Sequence, residues 1–206
     1  MSKHAGTQGA EAPRLTVEVF NHLIAMLGDQ ALNDINWSEN VEPPTDAEAF
    51  AREAIFVITH GGMAARIAIQ IFRRCMQALQ EGVEVSSVFG HRGKAAAIER
   101  IWRERAALFV GFKAADDKLQ FLRDLPFIGQ VTVYHLAKNL CVGDYAKPDL
   151  HLVRLAEREG TSAQLLCERL AKETGYRAAT VDTVLWRACE RGVIDSTSGA
   201  IPSLVA

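Results

Sequence analysis

Asp149 stands directly after Lys147-Pro148 and ahead of His151, Arg154 and Leu155. Proline pre-sets the backbone for a helix start, so the carboxylate is expected at a helix N-terminus. An acid there can simply cap the helix or be held ready for chemistry. Upstream, Leu125-Pro126-Phe127-Ile128-Gly129 reads as a tight hairpin: Pro126 stops the helix before it, and Gly129 permits close backbone approach or a positive φ. The apolar-periodic Val131 to Leu140 follows. Consecutive backbone N–H groups at such a turn, opening onto a helix N-terminus, form a small anion site suited to a phosphate. The pair of features therefore predicts a phosphate clamp followed by a single positioned acid, in the stretch Leu125 to Leu155.

These residues resemble the helix-hairpin-helix DNA glycosylase superfamily, the group containing endonuclease III, the adenine glycosylases of mismatch repair and the alkyladenine glycosylases. The family's hairpin pattern, roughly L-P-G-[IV]-G-x-x-T-A, is met by Leu125, Pro126, Ile128, Gly129 and Thr132, with Phe127 and Val133 departing from it. The later pattern, roughly V-D-x-H-V-x-R-[VL], is met by Asp149, His151, Arg154 and Leu155, with Pro148 and Leu152 as variants. Lys94-Ala95 with Ile98 matches a further family feature upstream. A hairpin alone occurs in many non-catalytic DNA-binding proteins; a hairpin followed by D-x-H-x-x-R is far more specific.

The resemblance implies an all-α, two-lobed glycosylase fold with a cleft between the lobes. Residues 45–144 would form the central lobe carrying the hairpin; residues 14–44 together with 145–195 would form the other, with tails at 1–13 and 196–206. It implies a DNA glycosylase acting on double-stranded DNA, with the base flipped into a pocket and its N-glycosidic bond hydrolysed through an oxocarbenium-like sugar that one aspartate, Asp149, can stabilise. Phe127, Gly129, Val131 and Thr132 would take the DNA phosphate, and hairpin carbonyls within 125–131 could hold a structural monovalent cation. Lys147, His151 and Arg154 would position the acid. Trp37, His60, Trp102, Tyr134 and His135 are pocket candidates by residue type, and His60-Gly61 lies where relatives have a polar loop touching the DNA gap left by the flipped base. In members that also cleave the backbone, a lysine two residues after the second hairpin glycine forms a Schiff base. That position is Val131, which cannot be a nucleophile, so a monofunctional enzyme leaving an abasic site is expected unless Lys138 or Lys147 reaches the sugar. A DNA-binding protein that keeps the hairpin without chemistry is the alternative.

Bulk properties fit this frame. The chain has 206 residues, 49% hydrophobic and 23% charged, enough for one or two domains with an ordinary core. Net charge is −2, unhelpful for phosphate binding, but its distribution is uneven: residues 1–53 hold three Lys/Arg against nine Asp/Glu, leaving the remainder at +4. No apolar run reaches membrane-span length and the polar start lacks a signal-peptide core, so a cytoplasmic monomer off the membrane is expected. Cys75, Cys141, Cys167 and Cys189 are far apart, which argues against zinc sites, disulfides and the iron–sulfur cluster of some relatives; no organic cofactor is implied.

Periodicity predicts helices throughout, eight to ten in all. The leucine spacing from Leu15 predicts a helix ended by Gly28, with a loop over Asn33–Pro44. Capping-box spacing at Thr45/Glu48 and Thr161/Gln164 predicts two helix starts, and Thr180 opens a last helix. Only Val83–Val85 hints at a strand.

Overall fold

The computed structural model describes residues 14–202. The expected tail at 1–13 therefore lies outside the described residues, as does 203–206. Among the described residues the chain is helical, with ten α-helices, one 3-10 turn and no strand; Val85–Ser87, next to the expected strand, is that 3-10 turn. None of these helices is long and apolar enough to cross a membrane.

Two hydrophobic cores divide the helices between them. The first is built from α3 (Ala47–His60), α4 (Ala65–Glu81), α5 (Arg92–Ala114), α6 (Lys118–Arg123) and α7 (Thr132–Asn139). Helix α3 starts at Asp46, whose carboxylate accepts the Ala49 N–H at 2.8 Å, one residue after the expected Thr45 cap. Its Phe50, Ala54, Ile55 and Ile58 recur at helical spacing and pack on α5, where Phe112 meets Phe50 with ring centroids 5.0 Å apart. The second core gathers α1 (Val17–Leu27), α2 (Asp29–Glu39), α8 (Leu150–Arg158), α9 (Ala163–Thr174) and α10 (Ala178–Glu190). Helix α10 is buried almost all round, as expected for a helix that other helices surround.

Three expectations from periodicity are corrected. Residues 33–39, the first part of the expected 33–44 loop, belong to α2, because Gly28 at φ 56° both ends α1 and starts a helix whose Ala31, Ile35 and Ser38 face inward. The start of α9 is capped by Ser162, not Thr161; Gln164 instead binds the 144–146 loop. Helix α10 begins two residues before Thr180, because the Asp144 carboxylate accepts the Ala178 and Ala179 N–H groups, each at 2.8 Å. Ile201, in the expected tail, is buried in the second core.

The chain crosses between cores twice: before α3, and through residues 140–149. The second crossing is clamped. Asp144 holds α10, while Gln164 accepts the Ala146 N–H at 2.7 Å and donates to the Asp144 carbonyl at 3.0 Å. Pro148 then sits in a three-residue turn closed by the Asp149 N–H on the Lys147 carbonyl at 2.8 Å.

Candidate functional site

Between α6 and α7 the Ile128 N–H bonds the Leu125 carbonyl at 3.1 Å, closing a four-residue turn around Pro126 and Phe127. Proline suits the second position of a type II turn and the third needs φ above zero, where glycine is favoured. Phe127 occupies that place at φ 61°. Its ring is half exposed and lies against Gly93 and edge-on to His91, at 5.7 Å between centroids. A Cβ at Gly93 would come within 2.7 Å of that ring. Leu125 and Ile128 anchor the turn in the first core.

The Gly129 N–H, expected to face a phosphate, is occupied: it donates to Thr132 Oγ1 at 2.8 Å. Helical bonding begins with the Val133 N–H on the Gly129 carbonyl, at 2.9 Å. The outward-facing N–H groups at the start of α7 therefore belong to residues 130–132, with Gly129 and Val131 exposed. The Leu125 carbonyl accepts an N–H within the turn, and the Gly129 carbonyl accepts the Val133 N–H of α7.

One face of α7 leads from this hairpin to a cavity of about 380 Å³ between the two cores. Helix α7 contributes His135 and Lys138; Phe56 and His60 come from α3, Gly62 and Met63 from the α3–α4 connection, and Ala65 from the start of α4. The second core supplies Asp34 and Trp37 from α2 and Asp182, Thr183, Trp186 and Arg187 from α10, while Lys147 comes from the crossing segment. The end of α7 is fixed by a left-handed Cys141 at φ 54°, with the Val142 N–H returning to the Ala137 carbonyl at 2.9 Å.

The polar groups of the wall are mostly paired. Lys138 is buried, and its ammonium donates to Asp182 Oδ2 and, at 3.2 Å, to Thr183 Oγ1. Burial pushes the Asp182 carboxyl up, opposed by the adjacent Lys138 ammonium. Arg187 forks onto Asp34 with Nε–Oδ2 at 2.8 Å and Nη2–Oδ1 at 3.4 Å, and lies over the Trp186 ring. His60 stacks on Phe56 at 3.8 Å and its Nδ1 donates to the Phe56 carbonyl at 2.7 Å, leaving Nε2 as the acceptor of the neutral ring. Burial lowers the pKa of His60, with Lys147 and Lys94 adding to the effect; burial also takes His135 well below the usual imidazole range, reinforced by Lys138 and Lys147.

Asp149 stands behind Lys147 and is the N-cap of α8. Its Oδ1 accepts the His151 and Leu152 N–H groups at 3.0 and 3.2 Å; its Oδ2 faces Lys147 Nζ at 3.4 Å. The cap and the charged partner use different oxygens, so capping leaves Oδ2 on the Lys147 side. His151 bonds Ser196 through Nδ1 at 2.9 Å, and Arg154 sits half-buried on the same helix; the Ser198 and Thr197 backbone N–H groups hold the Asp195 carboxyl below its usual range, with a smaller contribution from Arg154.

Of the pocket candidates, the structure brings Trp37, His60 and His135 together with Lys147 around one cavity. Trp102 and Tyr134 lie elsewhere: Trp102 packs against the first core under Arg105, and Tyr134 meets Tyr145 edge-on at 5.6 Å. Gly61 ends α3, with its carbonyl accepting Lys94 Nζ at 2.6 Å, while the neighbouring Gly62 reaches the cavity. Asp34, Lys138's partner Asp182, Thr183 and Arg187 are not singled out by the sequence pattern, and Trp186, expected only as core packing, also lines the cavity. Asp182 had a signal: an acid inside the apolar run Ala178 to Leu185 needs a buried partner if that run is a core helix.

Trp37 also borders a wider recess of about 680 Å³ along residues 41–49, Arg52, Glu53 and Asn139. Its Glu42, Asp46, Glu48 and Glu53 outnumber Arg52, a poor lining for a polyanion. Among the described residues no cluster of His, Cys, Asp or Glu could hold a metal ion. Comparison with protein-family models, curated proteins and solved structures gives no match.

Proposed function

We propose that this chain is a DNA glycosylase of the helix-hairpin-helix type, its two cores acting as the two lobes and the cavity between them receiving a flipped base. The observation that carries this reading is the continuity of α7: its N-terminus follows directly on the hairpin, and its His135 and Lys138 line a cavity that also includes Lys147, the ion-pair partner of Asp149. Phosphate at residues 130–132 would place a duplex across the mouth, with half-exposed Trp37 available to stack on a base.

The chemistry follows from the two oxygens of Asp149. Water adds to the sugar C1′ as the bond to the base breaks, and Oδ2 takes the water proton while the carboxylate stabilises the positive sugar. The product is an abasic site and a free base. Asp149→Asn keeps the cap, since asparagine caps as well as aspartate, but removes the base and the charge. Base release is expected to vanish while duplex affinity stays within a few-fold; unchanged release in this variant overturns the assignment of Asp149.

A second reading, a glycosylase with lyase activity, is favoured by one observation. Lys147 lines the cavity with its Nζ 3.4 Å from Asp149 Oδ2, whereas the Lys138 ammonium is buried and engaged by both Asp182 and Thr183. Borohydride trapping separates the two: a covalent DNA adduct that disappears in Lys147→Gln selects the lyase, and no adduct selects the water-using enzyme. A binding protein without chemistry would release no base from any duplex.

A further inference from the structure

The wider recess on the other side of Trp37 is lined by four carboxylates, Glu42, Asp46, Glu48 and Glu53, against one cation, Arg52. Asp46 is engaged at the start of α3 by the Ala49 N–H. Glu42, Glu48 and Glu53 have no ion-pair partner among the described residues. The Arg52 guanidinium lies instead over the Phe72 ring, 5.8 Å from its centroid. Glu53 is only partly exposed, and burial pushes its carboxyl up. Its Oε2 accepts the Asn139 side-chain amide at 2.9 Å. Asn139, which also lines the recess, is 3% exposed, and its Oδ1 has no hydrogen-bond partner. A buried amide oxygen without a donor is unfavourable, and so is a half-buried carboxylate without a cation.

We infer that this recess binds an aliphatic polyamine, with one ammonium held by Glu53 and Asn139 and a second by the rim acids Glu42 and Glu48. An ammonium carries three N–H donors and no acceptor, so a single group supplies both the charge that Glu53 lacks and the donor that Asn139 Oδ1 lacks. A bare metal ion is a poorer guest, because among the described residues no group of side chains could hold one. At about 680 Å³ the recess is of the size that holds a small organic molecule, and one ammonium fills little of it. Pro43, Pro44 and the half-exposed Trp37 ring give the methylene chain an apolar wall, and the ring face attracts a cation as well. The walls are fixed from both cores: Trp37 ends α2, Glu53 lies on α3 and Asn139 closes α7. The site is separate from the cavity beside Lys147 and does not rest on the glycosylase reading.

The test is isothermal titration of the full chain, without DNA, with spermidine and with butylamine, which has one ammonium. Ionic strength is held at about 0.15 M so that attraction between exposed charges is screened. The expected result is one spermidine per chain, bound at least about ten-fold more tightly than butylamine. Glu53→Gln keeps an acceptor for the Asn139 amide but removes the charge, and should weaken spermidine at least about ten-fold, as the loss of one charged hydrogen bond does. Glu42→Gln/Glu48→Gln changes only exposed side chains, so it folds even if the first variant does not, and it should narrow the gap between the two amines. Spermidine binding weaker than about 1 mM, or equal binding by Glu53→Gln, overturns the site. Butylamine bound as tightly as spermidine, or a gap that the rim variant leaves unchanged, overturns the assignment of a polyamine.

Discussion

Replacing Lys138 by methionine tests the wall of the cavity directly. Lys138 is 8% exposed and Asp182 1%, and the ammonium is the charged partner of that carboxylate. Methionine keeps most of the side-chain volume, so the variant isolates the lost charge. Leaving a buried carboxylate without its cation costs about 3–5 kcal/mol. For a chain of this length that corresponds to a fall in Tm of roughly 6–20 °C. Such a loss is a large share of an ordinary domain's stability, so the double variant Lys138→Met/Asp182→Asn is the necessary companion. With the charge gone and an acceptor retained for the Lys147 backbone N–H, it recovers about half or more of the single variant's loss. Urea unfolding at 25 °C gives both numbers, with unchanged m-values showing that the unfolded state is comparable. The pH dependence supplies a sign. Burial raises the Asp182 carboxyl and Lys138 opposes that rise, so removing the lysine raises it further. A raised carboxyl contributes stability at low pH that is lost as pH climbs through its folded value; the single variant is therefore less impaired at pH 5 than at pH 7.5. A loss below about 1 kcal/mol, or a double variant no better than the single, refutes a buried, paired Lys138.

Three further outcomes follow from the geometry. Phe127→Gly relieves a left-handed backbone worth about 1–2 kcal/mol for a non-glycine residue and gives up the ring contacts with His91 and Gly93, so thermal melting should show stability unchanged or raised by about 1 kcal/mol; a loss above about 2 kcal/mol contradicts the strain. Thr132→Val removes the acceptor of the Gly129 N–H at the start of α7; about 1 kcal/mol of stability and several-fold of duplex affinity should go together in denaturation and anisotropy titrations, and unaltered affinity excludes the hairpin from the DNA surface. His60 and His135 have folded pKa values below the unfolded value of about 6.5, so the unfolded chain binds more protons below that pH. Stability is full above about pH 6.5 and falls as pH drops toward the folded values, by at most about 1.4 kcal/mol per pH unit for each ring; His135→Phe should flatten the slope.

What the sequence revealed is local, and what it withheld is long-range. Gly28, Gly175 and Pro148 act where their backbone preferences place them, because a cap or turn depends on a few neighbouring residues. Helix α2 was missed because its polar face outweighs the three small or apolar residues that it buries. The cap at Ala178 comes from Asp144, far back in the chain, so no spacing near Thr180 reports it. The same distinction governs the site. Asp149 and the hairpin are contiguous patterns, but the cavity assembles α2, α3, α7 and α10, and residue type alone chose Trp37, His60 and His135 together with Trp102 and Tyr134, which pack elsewhere. The Lys138–Asp182 pair joins positions 44 apart and becomes visible only when α7 faces α10.

The central claim is that the cavity and Asp149 together break an N-glycosidic bond. Its most direct test is wild-type protein incubated with a panel of end-labelled duplexes carrying uracil, oxidised, alkylated or hypermodified bases, each divided into untreated and alkali-treated halves. The account predicts free base in solution and strand breakage at the lesion only after alkali, the mark of an abasic site, with both lost in Asp149→Asn. No free base from any duplex, or undiminished release by Asp149→Asn, contradicts it.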